Sequence, residues 1–363
     1  MPSARRPTPP KHPRSRLFGP LASFYAGVGQ FLGMNTATSR LLGLALASTV
    51  CACGPVRPGH DAWTPPDYWS AEHYVEVEGL RLCYLEAGPA DAEQTLVFVH
   101  GWSGNVQNWW DQFEHFQRSY RVIVFDLPGH GKSERGEHVD YSMENYVEVV
   151  EGLFSALEIE RAHVVGNSAG AWVAAVFAFE HPERVDKLVL SDSTGTRYTG
   201  SAGAVLPIMS GRMLQMAKMT TGEHYPGVDA KSRARQEFVA SFAGTVEEKP
   251  YLDMLGGLLP SSYERIDARL GSIAAPTLVI WGDDDPVVPI QAMRVLERAL
   301  ANDQSYVVHL GGHTPMMQSP DEFNCALEAF LDERELEGCK QYALTKQRQR
   351  QRLAGTDTGP RYE

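Results

Sequence analysis

Ala162-His163-Val164-Val165-Gly166-Asn167-Ser168-Ala169-Gly170 is the stretch whose reading decides the fold. Its first four residues are a short apolar run, suited to a strand buried on both faces. The next five read G-x-S-x-G, and Ala171–Glu180 carries on as a helix. A serine between strand and helix must occupy a tight turn with unfavourable backbone angles. The flanking glycines let neighbouring elements come close. The turn pushes the hydroxyl clear of the backbone, and the helix N-terminus favours developing negative charge.

The rest of the chain repeats that alternation. Tyr74–Glu78 and Leu80–Leu85, joined by Gly79, predict a β-hairpin. Short apolar runs follow at Thr95–Val99, Val122–Phe125, Lys187–Leu190, Thr277–Ile280 and Tyr306–Leu310. Helices are expected between them. Tyr141–Leu157 spaces Tyr146, Val149, Val150, Leu153 and Leu157 by three and four, and Gln291–Ala301 and Asp321–Leu331 are helical in pattern. Such alternation predicts an α/β protein, a doubly wound, mostly parallel sheet of about eight strands. The 86 residues between the Lys187–Leu190 and Thr277–Ile280 runs are too many for a plain connection. They read as an inserted helical cap. Met209, Met213, Met216 and Met219 share one helical face there, which suits core packing and an apolar pocket equally.

At this point the chain resembles the α/β-hydrolase superfamily, in its cap-bearing single-domain branch, over roughly residues 74–335. Three further motifs carry the resemblance. His100-Gly101-Trp102 follows the Thr95–Val99 strand. Asp126-Leu127-Pro128-Gly129-His130-Gly131-Lys132-Ser133 is similar to the D-x-x-G-x-G-x-S loop. Gly282-Asp283-Asp284-Asp285-Pro286 and Gly312-His313 follow the last two strands. The order Ser, Asp, His also matches.

The resemblance implies that Ser168 is the nucleophile, His313 the base and Asp285 the acid that orients it. Chemistry asks for the same set, because a serine hydroxyl needs a base and the base needs an orienting partner. Among twelve histidines only His313 has the required order and place; His163 and His309 lie in strand patterns, and His100 and His130 in structural loops. Among three consecutive aspartates, Asp285 fits the pattern, with Pro289 four residues on. Asp192 is a second candidate acid, since some members place it after the preceding strand. The oxyanion hole is assigned to the backbone N–H groups of Trp102 and Ala169, while Trp109 and Trp110 read as packing. No metal or organic cofactor is implied.

Serine at the elbow points to an acyl-enzyme, unlike the aspartate of dehalogenases and epoxide hydrolases of this fold. The expected activity is hydrolysis of a small or medium carboxylic ester. The alternative is carbon–carbon bond hydrolysis of a ring-cleavage product, for which Gly166-Asn167-Ser168 argues and Ala171 argues against. Lactonase, perhydrolase and amidase activities share the triad, and a non-catalytic binding protein shares the fold.

Charge divides the chain. The formal net charge is −12, with seven basic residues and no acid before Asp61. Five more basic residues run from Lys340 to Arg352, and the last eleven residues carry −1, so residues 61–339 carry −23. An acidic body repels phosphate backbones, which argues against nucleic acid as a partner.

Of five cysteines, Cys83, Cys325 and Cys339 match no zinc spacing. The other two end a leader-like segment. Met34–Arg40 and the apolar Leu41–Val50 precede Val50-Cys51-Ala52-Cys53-Gly54, which resembles the bacterial lipobox with Cys51 as a departure. The expected plan is an extension or over-called start at 1–33 and a lipoprotein signal peptide at 34–53, with Cys53 lipidated. A linker at 54–73 follows. The hydrolase core spans 74–194 and 270–337, around a cap at 195–269, and a basic, disordered tail occupies 338–363. On that plan a small acyl substrate and a membrane surface of the bacterial cell envelope are the partners; the oligomeric state is not legible.

Overall fold

The computed structural model describes residues 72–102, 104–196, 266–285 and 287–353. The leader, Cys53, nearly all of the linker, and most of the cap, its methionine stripe included, lie outside the described residues. Among those residues no helix is long and apolar enough to cross a membrane.

Eight strands form one sheet: β1 (His73–Val77), β2 (Leu80–Ala87), β3 (Thr95–Val99), β4 (Arg121–Phe125), β5 (Ala162–Asn167), β6 (Val185–Ser191), β7 (Thr277–Gly282) and β8 (Asp303–Val308). Their order is β1-β2-β4-β3-β5-β6-β7-β8. β2 runs antiparallel to both β1 and β4, and every other pairing is parallel. The helices are α1 (Trp110–Phe116), α2 (Met143–Ala156), α3 (Ala169–Glu180), α4 (Gln291–Ala299), α5 (Pro315–Gln318), α6 (Pro320–Leu331) and α7 (Cys339–Leu353).

The apolar runs follow from a sheet covered on both faces. Along β3, Val97 and Val99 join one core cluster while Leu96 and Phe98 join the other. β4 divides the same way, Ile123 and Phe125 against Val122 and Val124. Strand residues alternate faces, so two buried faces require a continuous apolar run. The first cluster takes in α2, α3 and α4; the second takes in α1, α5 and α6. Ser142 starts α2 by accepting the Asn145 N–H at 3.2 Å. α3 buries residues 169–178 without a gap, which is why it shows no amphipathic period.

Three expectations need correction. β8 lies three residues upstream of the Tyr306–Leu310 run, because an edge strand tolerates exposed polar residues such as Gln304 and Ser305. His309 therefore falls after the strand, half-exposed, with its Nδ1 3.0 Å from Asp283. The tail is not disordered up to Leu353: α7 covers Cys339–Leu353, and a disulfide from Cys339 to Cys325 ties its first turn to α6. Its lysines, arginines and glutamines are good helix formers, polar though they are.

The strand order reverses between β3 and β5. The crevice at the carboxyl ends of the strands at such a reversal is where open α/β sheets bind ligands. His100 follows β3, Asp126 follows β4, Ser168 follows β5, Asp192 follows β6, Asp285 follows β7 and His313 follows β8. All stand at that same end of the sheet.

Candidate active site

Ser168 joins β5 to α3 at φ 56° and ψ −120°, a conformation that L-residues avoid. Its N–H donates to Ser191 O at 2.9 Å, and its own C=O accepts from Ala171, Trp172 and Thr194, each at 3.2 Å. The glycines of the motif are required by contact. A Cβ at Gly166 would stand 2.4 Å from Gly170 O, and one at Gly170 would stand 2.3 Å from the carbonyl oxygens of both Val99 and His100. Two bare positions thus let α3 start against β3 and β5.

From there one line of hydrogen bonds runs inward. Ser168 Oγ is 2.8 Å from His313 Nε2, and His313 Nδ1 is 2.9 Å from Asp285 Oδ2. Asp285 Oδ1 accepts the N–H groups of Val287 (2.7 Å) and Val288 (3.0 Å). The Asp285 carboxyl is fully buried and the His313 side chain is 6% exposed. The run of three aspartates is thereby resolved: Asp283 faces His309, Asp284 is exposed, and Asp285 turns inward.

Several residues hold the histidine loop that the sequence does not single out. Gln318 Oε1 accepts the N–H groups of Gly312 (2.8 Å) and Thr314 (3.3 Å). Asn167 Nδ2 donates to His313 O at 3.1 Å. Gly282 meets the loop so closely that a Cβ there would lie 2.1 Å from Gly312 O. Asn167, Gly282 and Gly312 stand in motifs visible in the sequence, whereas Gln318 gives no local signal.

A Cβ at Gly101 would come within 2.9 Å of Ser168 Cβ, so the His100-Gly101-Trp102 backbone runs against the nucleophile position. Ala169 opens α3, where no preceding turn supplies a carbonyl for its N–H. The Trp102 side chain is half-buried against the core, and Trp109 and Trp110 are buried packing residues.

His100 and Asp126 brace these loops. His100 Nε2 accepts the Leu127 N–H at 3.0 Å, so Nδ1 carries the proton and donates to Gly101 O at 2.8 Å. Burial pushes its pKa down to about 4, which keeps it neutral. Asp126 accepts the N–H groups of Val106 and Lys132, both at 2.7 Å, and burial pushes it up to about 6.

Asp192 was the second candidate acid. It lies fully buried beside Asp285, and one ligand atom from each of Asp192, Asp285 and His313 falls within a 4.8 Å cluster. Carboxylates and an imidazole are cation-ligand types. The atoms are already engaged, however: Asp192 accepts from Gly282 N and Ser191 Oγ, and Asp285 accepts from Val287, Val288 and His313.

Comparison with known proteins agrees with this geometry. The model of the alpha/beta hydrolase fold family matches residues 94–223 and 227–320. The 2-hydroxy-6-oxononadienedioate/2-hydroxy-6-oxononatrienedioate hydrolase of Paraburkholderia phymatum is 31% identical, over 71% of this chain and 94% of that protein. Among solved structures, a meta-cleavage product hydrolase from Pseudomonas fluorescens IP01 is 26% identical with TM-score 0.58, covering 72% of this chain and 97% of that one. A membrane phospholipase A, described as a bacterial virulence factor, is 25% identical with TM-score 0.62, covering 86% of this chain and 98% of that one.

Proposed function

The chain belongs to the α/β-hydrolase fold family, and from that premise we propose that it hydrolyses a carbon–carbon bond next to a carbonyl in a ring-cleavage product, through Ser168, His313 and Asp285. The hydrogen-bonded line from Ser168 Oγ through His313 to Asp285 supports hydrolysis in general, and the observation that carries the choice of bond is the likeness to hydrolases named for ring-cleavage products. The relatives named for that chemistry match nearly their full length. This reverses the order of the two readings offered by the sequence, in which ester hydrolysis stood first.

In the proposed mechanism His313 Nε2 takes the Ser168 proton while Ser168 Oγ attacks the carbonyl carbon. The N–H groups of Trp102 and Ala169 receive the oxyanion, and donors of this kind contribute about 3 kcal/mol each. Collapse expels the adjoining carbon with its electron pair, and the proton on His313 passes to it. A carbon leaving group must be a stabilised carbanion, so the substrate is expected to present a conjugated carbonyl or enol at that position. Water, deprotonated by His313, then releases the acid from Ser168.

Ester hydrolysis is the second reading, favoured by the likeness to the membrane phospholipase A, which spans more of this chain. It agrees with a further proposal, that residues 34–53 export the chain and Cys53 carries a lipid anchor. The Cys325–Cys339 disulfide supports export, because such bonds persist mainly in oxidising compartments. One panel separates the two readings: a 2-hydroxy-6-oxo-dienoate ring-cleavage product, p-nitrophenyl esters of increasing acyl length, and phosphatidylcholine vesicles. The highest kcat/KM is expected on the ring-cleavage product. Turnover of esters or phospholipid with none of that product overturns the first reading.

A further inference from the structure

The proposed reaction employs Asp285 and leaves a second buried carboxyl unused beside it. Asp192 follows β6 at φ 47°, a strained backbone for an aspartate, with none of its surface exposed. Its Oδ1 accepts the Gly282 N–H at 2.9 Å, and its Oδ2 accepts the Ser191 hydroxyl at 2.7 Å. One of its carboxyl oxygens shares a cluster with an oxygen of Asp285 and a ring nitrogen of His313, no two of these atoms more than 4.8 Å apart. Ionised carboxylates only accept, so two carboxyl groups brought this close in a buried site can bond to each other only where one of them carries a proton. Two anions side by side in a dry site also repel strongly.

The donors decide which group holds the proton. Asp285 receives three N–H groups, those of Val287, Val288 and His313, and one belongs to the ring that becomes cationic during turnover. Asp192 receives two, one of them from a neutral hydroxyl. Asp285 is therefore the better place for the negative charge. Burial first, then the neighbouring Asp285 charge, push the Asp192 carboxyl well above its ordinary range, in the same direction. Asp285 and His313 are the titratable groups gathered with it among the described residues.

We propose that Asp192 is a positioning residue: it carries a proton, donates it in a hydrogen bond to Asp285, and so keeps Asp285 charged and turned toward His313. The network closes on the nucleophile. Ser191 Oγ, which donates to Asp192, accepts from Asn167 Nδ2 at 3.4 Å, and the same Nδ2 donates to His313 O. The residue before Ser168 thus ties together the histidine and the acid behind its partner. When His313 takes a proton, the carboxyl pair facing it carries one negative charge rather than two.

This inference rests on the proposed roles of Ser168, His313 and Asp285, and its test keeps the two apart. Wild type, Asp192→Asn and Asp192→Ala are compared on the best substrate of the panel. The Asn side chain can still donate to Asp285, and Ser191 Oγ can accept where it formerly donated. Asp192→Asn is therefore expected to keep kcat within about threefold, while Asp192→Ala loses roughly tenfold with KM little changed. The acid limb of kcat/KM should stay in place in Asp192→Asn. An infrared difference spectrum at neutral pH should show a protonated-carboxyl band in wild type that Asp192→Asn lacks. Absence of that band overturns the inference. So does an acid limb that moves to lower pH in Asp192→Asn, the sign expected when an anion beside the imidazole is removed. Should Asp192→Ala fail to fold, the Asn variant and the infrared band still decide. A wild-type protein that resists a fluorophosphonate probe and turns over nothing overturns the hydrolase reading instead, and the infrared band is read independently of it.

Discussion

Ser168 pays for its geometry with backbone strain of about 1–3 kcal/mol. The four hydrogen bonds to its own N–H and C=O hold it there. That strain aims Oγ at His313 Nε2, and the reaction depends next on the ring presenting the right nitrogen. Asp285 Oδ2 at 2.9 Å from Nδ1 selects that tautomer. Asp285→Asn keeps the shape and reverses the tautomer, so kcat should fall by roughly three to four orders of magnitude with the fold intact, as steady-state kinetics beside circular dichroism will show. The corresponding changes at Asp283 and Asp284, which face outward, should leave kcat nearly unchanged. Ser168 and His313 were legible in the sequence because each stands in a local motif with a fixed place in chain order. The pairing of Asp192 with Asp285 and the Asn167 link to Ser191 were not, because they join strands far apart along the chain; Gln318 was not, because it belongs to no motif although it bonds the histidine loop only four and six residues away.

At the scale of elements, β3 was legible to the residue because both of its neighbours and both of its faces are buried. β8 was misplaced because an edge strand obeys no such pattern, and Leu310, the end of its expected span, sits at φ 55° in the turn beyond. β5 holds a testable liability. His163 is buried on it, and neither ring nitrogen finds a hydrogen-bond partner among the described residues. Burial pushes its pKa from 6.5 down to about 4. Between those values the unfolded chain holds the proton and the folded chain does not, so stability is lost as pH falls through that window. His163→Leu removes the loss. Its stability relative to wild type should be about 2 kcal/mol more favourable near about pH 5 than near about pH 7.5, read from urea unfolding. An equal difference at both pH values contradicts this. The α6–α7 junction offers a second test. The Cys325–Cys339 bond spans 14 residues, and a loop of that size is worth about 3 kcal/mol. Replacing both cysteines by serine should lower urea stability by about that amount.

For the whole molecule, the sequence predicts three charge zones: a basic leader, a body carrying −23 and a basic stretch from Lys340 to Arg352. The last of these forms most of α7. The sheet, its order reversal and the gathering of strand ends were foreseeable from alternation alone, since right-handed crossovers leave few other arrangements. The proposed anchor predicts that the full chain fractionates with membranes and that Cys53→Ala releases it into the soluble fraction. Membrane association unchanged by that substitution contradicts the anchor and leaves the chemistry standing. The chemistry itself hangs on one oxygen. Fluorophosphonate treatment followed by peptide mass spectrometry should place a single adduct on Ser168, and Ser168→Ala should abolish both adduct and turnover. An unmodified Ser168 in active protein, or turnover that survives Ser168→Ala, would contradict the account.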